Sequence, residues 1–345
     1  MGFQDVVNQD HAIFLLRSAV RTRKIGHAYL FVGPAGVGRR SLALAFAQLL
    51  NCERPDGDAC GVCGPCRKIA AGTHPDVRML DIDNGKFLEA PAKDYKGKEI
   101  PIDQIRALRH DAAYPPYEGR WKVYIIADAE RMNVSSANSL LKVLEEPPAR
   151  VTFILIAESG VAVLPTIVSR CQLVRCAYLR ADEIERALVE RHQIAAERAR
   201  VLALLADGRL GRALEWAKSE EKMEARDRLL DLLPALETGD LIARLDAAEA
   251  LSKESYLPEL LDLAVFWYRD LLIWKQLQQP SLLTNRDRVA QIERLAPSYG
   301  EAALGARIEA IEDAREGLRR NVNPRLLLEK LFLSFGPKPL AAPTK

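Results

Sequence analysis

The sequence has almost no surplus of charge: 49 Lys and Arg stand against 47 Asp and Glu, a formal net of +2 over 345 residues. That balance argues against a globally basic nucleic-acid binder and leaves room only for a local patch. There is no apolar run of about 18 residues or more, so no helical membrane span is expected. The start, MGFQDVV, lacks the charged and then apolar regions of a secretory leader. Met1-Gly2 is not a good acylation signal either, because Val6 stands where Ser or Thr is needed. A cytoplasmic protein is the expectation. Short internal repeats and low-complexity tracts are also missing. Cysteine is scarce outside one stretch: four of the six lie between Cys52 and Cys66, with Cys171 and Cys176 far downstream.

What is present is apolar content of 48% beside 28% charged residues, enough for ordinary cores in two or three domains. Residues 1–177 alternate short apolar runs with helical stretches. Strands are expected at Ala28–Val32, Val77–Ile82, Lys122–Ala127, Thr152–Ala157 and Gln172–Cys176, and a helix at Ser41–Asn51. That alternation predicts an α/β domain with a parallel sheet covered on both faces. From Arg180 the strand signal stops, and residues 181–200 and 200–206 are helical by period. From about Ser219 to Phe335 the chain is leucine-rich and helical. Leu260, Ala264, Trp267, Leu271 and Trp274 form a stripe suited to a core or a helix–helix seam. Asn323-Pro324 is a helix start. Residues 84–101 predict a long surface loop, and residues 338–345 a flexible tail.

The most informative segment is Gly33-Pro34-Ala35-Gly36-Val37-Gly38-Arg39-Arg40-Ser41 after the first strand. A phosphate-binding loop reads G-x-x-x-x-G-K-[ST] in that setting. The lysine reaches the β- and γ-phosphates and the hydroxyl binds Mg²⁺. Here Arg39 replaces the lysine and Arg40 the hydroxyl residue. Arginine is a longer planar fork, not an equivalent of lysine, and offers a metal no oxygen. Ser41 is one position late, about 100° around a helix. Glycine-rich backbone at a helix start still suits simple anion binding, which Arg39 and Arg40 would strengthen. The sequence therefore predicts a nucleotide fold without hydrolysis and leaves nucleotide binding open.

The end of the third strand agrees. Four apolar residues, Val123–Ile126, should lead into two acids; the chain has Ala127-Asp128-Ala129-Glu130. Asp128 keeps the second acid, and with Glu130 could hold a metal loosely or be solvated. The cysteines at 52, 60, 63 and 66 contain two C-x₂-C steps and a fourth thiol, enough to close a tetrahedron around a structural Zn²⁺. An iron–sulfur cluster or four free thiols are the weaker readings. Cys171 and Cys176 read as small buried residues. Arg170, in Ser169-Arg170-Cys171, reads on spacing alone as a solvated charge.

Taken together, these segments resemble the bacterial clamp-loader family of the AAA+ class. The matching residues are Phe31–Gly38, the four-cysteine insert, His74-Pro75-Asp76, the run Asn138–Pro148 (NSLLKVLEEPP) and Ser169-Arg170-Cys171. Within the family, the degenerate loop matches a member that does not hydrolyse ATP. The resemblance implies a RecA-like base at 1–177 carrying the cysteine module, a helical lid at 178–218 and a helical collar at 219–337. It implies that Arg170 is an arginine finger acting on ATP held by a neighbouring gamma/tau subunit, and that Cys52, Cys60, Cys63 and Cys66 hold zinc. Arg212, in Ala206–Leu214, matches the sensor arginine of the lid, and Ile156-Ala157-Glu158 lacks the Thr or Asn that senses the γ-phosphate. The implied partners are gamma/tau and delta subunits, a sliding clamp and primed DNA; the implied role is an accessory subunit of a polymerase assembly. Arg17, Arg21, Arg23 and Lys24 could touch a DNA backbone, though a solvated helix face explains them as well. Two rival readings are an active gamma/tau-type ATPase and a zinc-dependent nucleic-acid module.

Overall fold

A computed structural model describes residues 2–82, 88 and 99–335. Of the expected loop at 84–101, only residues 88 and 99–101 are described, and the expected tail lies outside the described residues. The chain divides into two compact units: residues 1–187 with 207–212, and residues 188–206 with 213–345. Among the described residues, no helix is long and apolar enough to cross a membrane.

The first unit is built on five parallel strands: β1 (Ala28–Val32), β2 (Val77–Leu80), β3 (Lys122–Ile126), β4 (Val151–Ala157) and β5 (Gln172–Arg175). Their order is β2-β3-β4-β1-β5. β1 lies between β4 and β5, with Leu30 opposite both Leu155 and Leu173. The alternation of strand side chains explains the two cores. Tyr29 and Phe31 point to one face with Ile154, Ile156 and Phe46. Leu30 points to the other with Tyr124, Phe153, Leu140 and Leu144. Both faces of β1, β3 and β4 are covered, as their near-continuous apolar sequences require, whereas edge strand β5 buries only Val174.

The helices of this unit are α1 (Asp10–Arg21), ahead of the first strand, then α2 (Arg39–Asn51) and α3 (Gly64–Ala70) after β1, α4 (Ile102–Ala112) after β2, α5 (Val134–Glu145) after β3 and α6 (Pro165–Val168) after β4. α2 begins at Arg39, two residues before the sequence-based expectation, because Gly38 ends the loop at φ +102° and serves as its N-cap. Because the strands run parallel, every strand ends on the same edge, where an open α/β sheet places its ligands.

The second unit is helical. It contains helices Ala196–Leu205, Glu220–Thr238, Leu241–Ser252, Leu257–Leu277, Glu301–Arg319 and Pro324–Leu333. The apolar stripe of Leu257–Leu277 buries Leu260, Ala264, Trp267 and Leu271, while Trp274 is only half-buried. Asn323 caps the last helix, its side-chain oxygen accepting the N–H groups of Arg325 and Leu326. A polar knot sits in this core. Buried Asp270 accepts the N–H groups of Thr284 and Asn285, and Arg226, 1% exposed, forks onto Asp287 at 2.9 and 2.8 Å. The helix expected over 181–200 is instead broken. It ends at His192 and restarts at Ala196, with Gln193 at φ +57° between. The period is helical on both sides, and nothing in the composition marks Gln193 as the left-handed residue.

Candidate functional site

The glycine loop follows β1 and caps α2, as its spacing predicts. Gly33 is required by close approach: a Cβ there would stand 2.3 Å from the carbonyl oxygen of Cys176. The tip of the loop is covered by the segment at 207–212. Gly211 N–H donates to the carbonyl of Gly36 at 2.8 Å, and a Cβ on Gly211 would meet Gly36 Cα at 3.0 Å. Arg212 lies beside this contact, 6% exposed.

Arg39 and Arg40 leave the loop in different company. Arg39 is buried, and its Nη1 has no hydrogen-bond partner among the described residues. Burial lowers its pKa, against the opposing pull of Glu130, Glu158, the Cys176 thiol and Asp128. Arg40 bridges two strand ends: Nη1 lies 2.9 Å from Asp81 Oδ2 and Nη2 lies 3.1 Å from Asp128 Oδ2. Asp81, just past β2, is 1% exposed. Asp128 sits at φ +57°, which turns the chain sharply at the end of β3. Glu130, the other acid expected there, instead accepts the N–H of Glu158 through Oε1 at 3.2 Å. Asp81 escaped the sequence reading because its contact with Arg40 joins residues far apart in the chain.

Arg170 stands on the turn after α6. Buried Val163 and Ile167 fix that short helix against the core beside α5. The guanidinium is partly exposed; Nη2 lies 2.7 Å from Glu145 Oε1 at the end of α5, and Nη1 donates to Thr166 O at 3.0 Å. The distinctive run at 138–148 thus supplies the acid that holds this arginine. Cys176 is buried, whereas Cys171 is only half-buried. Burial raises both thiols, to about 11 and about 12.

The four clustered cysteines converge. Their sulfurs all lie within 4.8 Å of one another, so they could hold a metal ion. Four Zn–S bonds of about 2.3 Å would set the sulfurs roughly 3.8 Å apart, a small contraction. Cys52 ends α2 and Cys63 caps α3, so the site ties these helices together; Gln48 Nε2 adds a buried bond to Cys66 O at 2.8 Å. The N–H groups of Val62 and Cys63 hold the Cys60 thiol down at about 6, and burial pushes Cys66 up. A thiolate donor in an all-sulfur set is what a soft or borderline dication binds.

Beside this module, His74-Pro75-Asp76 has a clear local task. Asp76 accepts the N–H groups of Tyr117, Glu118 and Gly119 at 2.7, 2.8 and 2.7 Å. Burial works to raise the carboxyl, but these donors, with His74, outweigh it and hold the pKa below the usual range. Such a group adds stability above its unfolded pKa, and that contribution is lost as pH falls through the lower folded value. Asp76→Asn is expected to cost about 2 kcal/mol at neutral pH. Its melting curve should approach that of the native protein in acid, where the native protein loses the same contribution. Thermal melts from pH 7 downward check this; equal stability at pH 7 would refute it.

A family model described as "DNA polymerase III, delta subunit" matches residues 8–180, half of the chain. A second, "DNA polymerase III, delta subunit, C terminal", matches residues 220–336. The chain belongs to the DNA polymerase III delta-subunit family. Family relatives include the "DNA polymerase III subunit delta'" of Bacillus subtilis, 30% identical over 94% of this chain and 95% of that protein. That of Pseudomonas aeruginosa is 32% identical over 91% and 92%. The chain is also 28% identical to the tau subunit of B. subtilis, but spans only 60% of that protein's length. Among solved structures, a DNA polymerase III gamma subunit-related protein from Thermotoga maritima aligns over 94% of this chain and 98% of its own, with a TM-score of 0.41 and 21% identity.

Proposed function

We propose that the chain is the delta-prime subunit of a DNA polymerase III clamp loader, a stator that splits no ATP of its own. It lends Arg170 to ATP held by a neighbouring gamma/tau subunit, works beside delta, and helps place a sliding clamp on primed DNA. The observation that carries this reading is the contrast between its two arginine sites. The loop has arginine where phosphate contact and metal binding need lysine and a hydroxyl, while Arg170 sits at the surface on a turn braced by α5 and α6. The delta-prime relatives, matched over nine-tenths of both chains, support the assignment.

The proposed organisation is a base at 1–177, a lid at 178–218 and a collar at 219–337. In the base, Gly33, Gly36, Gly38, Arg39, Arg40, Ser41 and Asp128 form the degenerate cradle, with Arg212 over it. Cys52, Cys60, Cys63 and Cys66 are the ligands of a structural zinc, which supplies cross-linking and no open position for chemistry. Any contact with DNA is to the backbone. Arg17, Arg21, Arg23 and Lys24 are exposed for this, although Arg17 already leans towards Asp58 at 3.5 Å.

The test is turnover by the chain alone. A purified, contaminant-free sample is expected to release no phosphate from ATP with magnesium above the blank. Steady turnover abolished by Arg39→Ala would instead make it an active ATPase of the gamma/tau type.

A further inference from the structure

Arg40 departs from a hydrolysing loop in a second way besides lacking a hydroxyl. In P-loop enzymes the hydroxyl at this position and the acid at a neighbouring strand end together hold Mg²⁺. Here the guanidinium reaches across to that same strand end, 3.1 Å from Asp128, and to Asp81 at the next strand, 2.9 Å away. Asp81 is almost wholly buried. A carboxylate withdrawn from water requires a nearby positive charge or a proton. Arg40 brings such a charge to it through a planar fork of N–H donors.

We propose that Arg40 is a resident cation standing in for magnesium between Asp81 and Asp128, so that the cradle is locked in a metal-free state. Its charge is part of the chain and its geometry is fixed by α2. A divalent ion would have to expel a tethered competitor from both carboxylates at once. The contact of Gly211 with Gly36 works in the same direction, covering the loop where phosphates would sit. Among the described residues, Asp81 and Asp128 face Arg40, and Asp128, Glu130 and Glu158 surround Arg39. Removing Arg40 would leave an acidic corner with the composition of a hard-metal site. The proposal rests on reading the loop as a nucleotide cradle without hydrolysis. Its readout is metal binding by the isolated chain, so it can fail while the Arg170 assignment stands, and the reverse.

The experiment compares the full-length protein with Arg40→Ser and Arg40→Lys, by thermal melting with and without millimolar MgCl₂ and by Mn²⁺ titration followed by electron paramagnetic resonance. The native protein should bind no Mn²⁺ at this site and melt at the same temperature with or without magnesium. Arg40→Ser should melt roughly 4–8 °C lower in metal-free buffer. It should recover most of that loss with magnesium and bind one Mn²⁺. Arg40→Lys, which keeps the charge, should stay insensitive to metal. Adding Asp128→Asn to Arg40→Ser should abolish the response. Three results would overturn the proposal: one Mn²⁺ bound by the native protein and released by Asp128→Asn, an Arg40→Ser melting point indifferent to magnesium, or no Mn²⁺ bound by that variant. If Arg40→Ser folds only when magnesium is supplied, the proposal is supported in its strongest form. If it folds under neither condition, the titration of the native protein with and without Asp128→Asn decides.

Discussion

Replacing Arg170 by alanine should lower DNA-stimulated ATP turnover at the neighbouring site by about 10³-fold or more, in an assembly reconstituted with a gamma/tau homologue. Arginine fingers supplied in trans contribute about 10³–10⁵ by stabilising charge as the γ-phosphoryl group leaves. The geometry explains why Arg170 is available for such a task. Its main contact is an ion pair with Glu145 in which both side chains remain substantially exposed. Pairs of that kind contribute about 0–1 kcal/mol, so exchanging Glu145 for a phosphate oxygen costs little. The turn beneath is firm, because buried Ile167 and Val163 anchor α6. The alanine variant should therefore melt within about 4 °C of the native protein, which separates lost chemistry from lost folding. Arg170→Lys should recover only part of the rate, since an ammonium ion cannot present the bidentate fork. The measurement is single-turnover hydrolysis resolved for the site next to this subunit, because other ATP sites dilute the effect in bulk rates. Equal single-turnover rates for native and alanine proteins would remove the finger assignment.

The second large effect is expected from the cysteine module. Stripping the proposed zinc with a strong chelator, or replacing Cys63 by serine, should lower the melting temperature by roughly 10 °C, corresponding to about 3–5 kcal/mol. The loss is large because four thiols are crowded between two helix ends. Cys52 closes the helix that carries Arg39 and Arg40 at its other end, and Cys66 lies buried in α3. Without a dication, thiolates at such separations repel, and the buried ones must take up protons. The effect should stop short of complete unfolding, since the sheet has its own apolar core on both faces. Metal analysis should give one zinc per chain. A sample with no zinc, or one whose zinc content and melting point survive Cys63→Ser, would refute the assignment.

The sheet was legible because buried parallel strands announce themselves as short apolar runs between turns. All five runs became strands, with ends shifted by at most two residues, as at Leu80. The order in which they pair was not legible, since no local pattern encodes which strand lies beside β1. Helix caps with their own side-chain chemistry could also be read, as Asn323 shows. The break at Gln193 could not, because the left-handed residue there is neither glycine nor asparagine. At the site, the loop and the cysteine quartet are contiguous motifs and stood out in the sequence. The pairing of Arg40 with Asp81 and Asp128 is different. It depends on three strands bringing their ends together, and an acid 41 residues from its partner leaves no trace in composition or period. Asp76 illustrates the same point: its motif was visible, but its task of gathering three backbone donors from 117–119 emerged only in three dimensions.

The bridge made by Arg40 bears on history as well as chemistry. A change restoring lysine at 39 leaves the guanidinium lodged between the strand ends. A change placing a hydroxyl at 40 removes the guanidinium beside Asp81 before any catalytic gain can follow. Neither single step completes a hydrolysing loop, and on the proposal above the second begins with a weaker fold. On the proposed reading without hydrolysis, such a loop behaves as a ratchet, held by the side chain that bridges its strand ends.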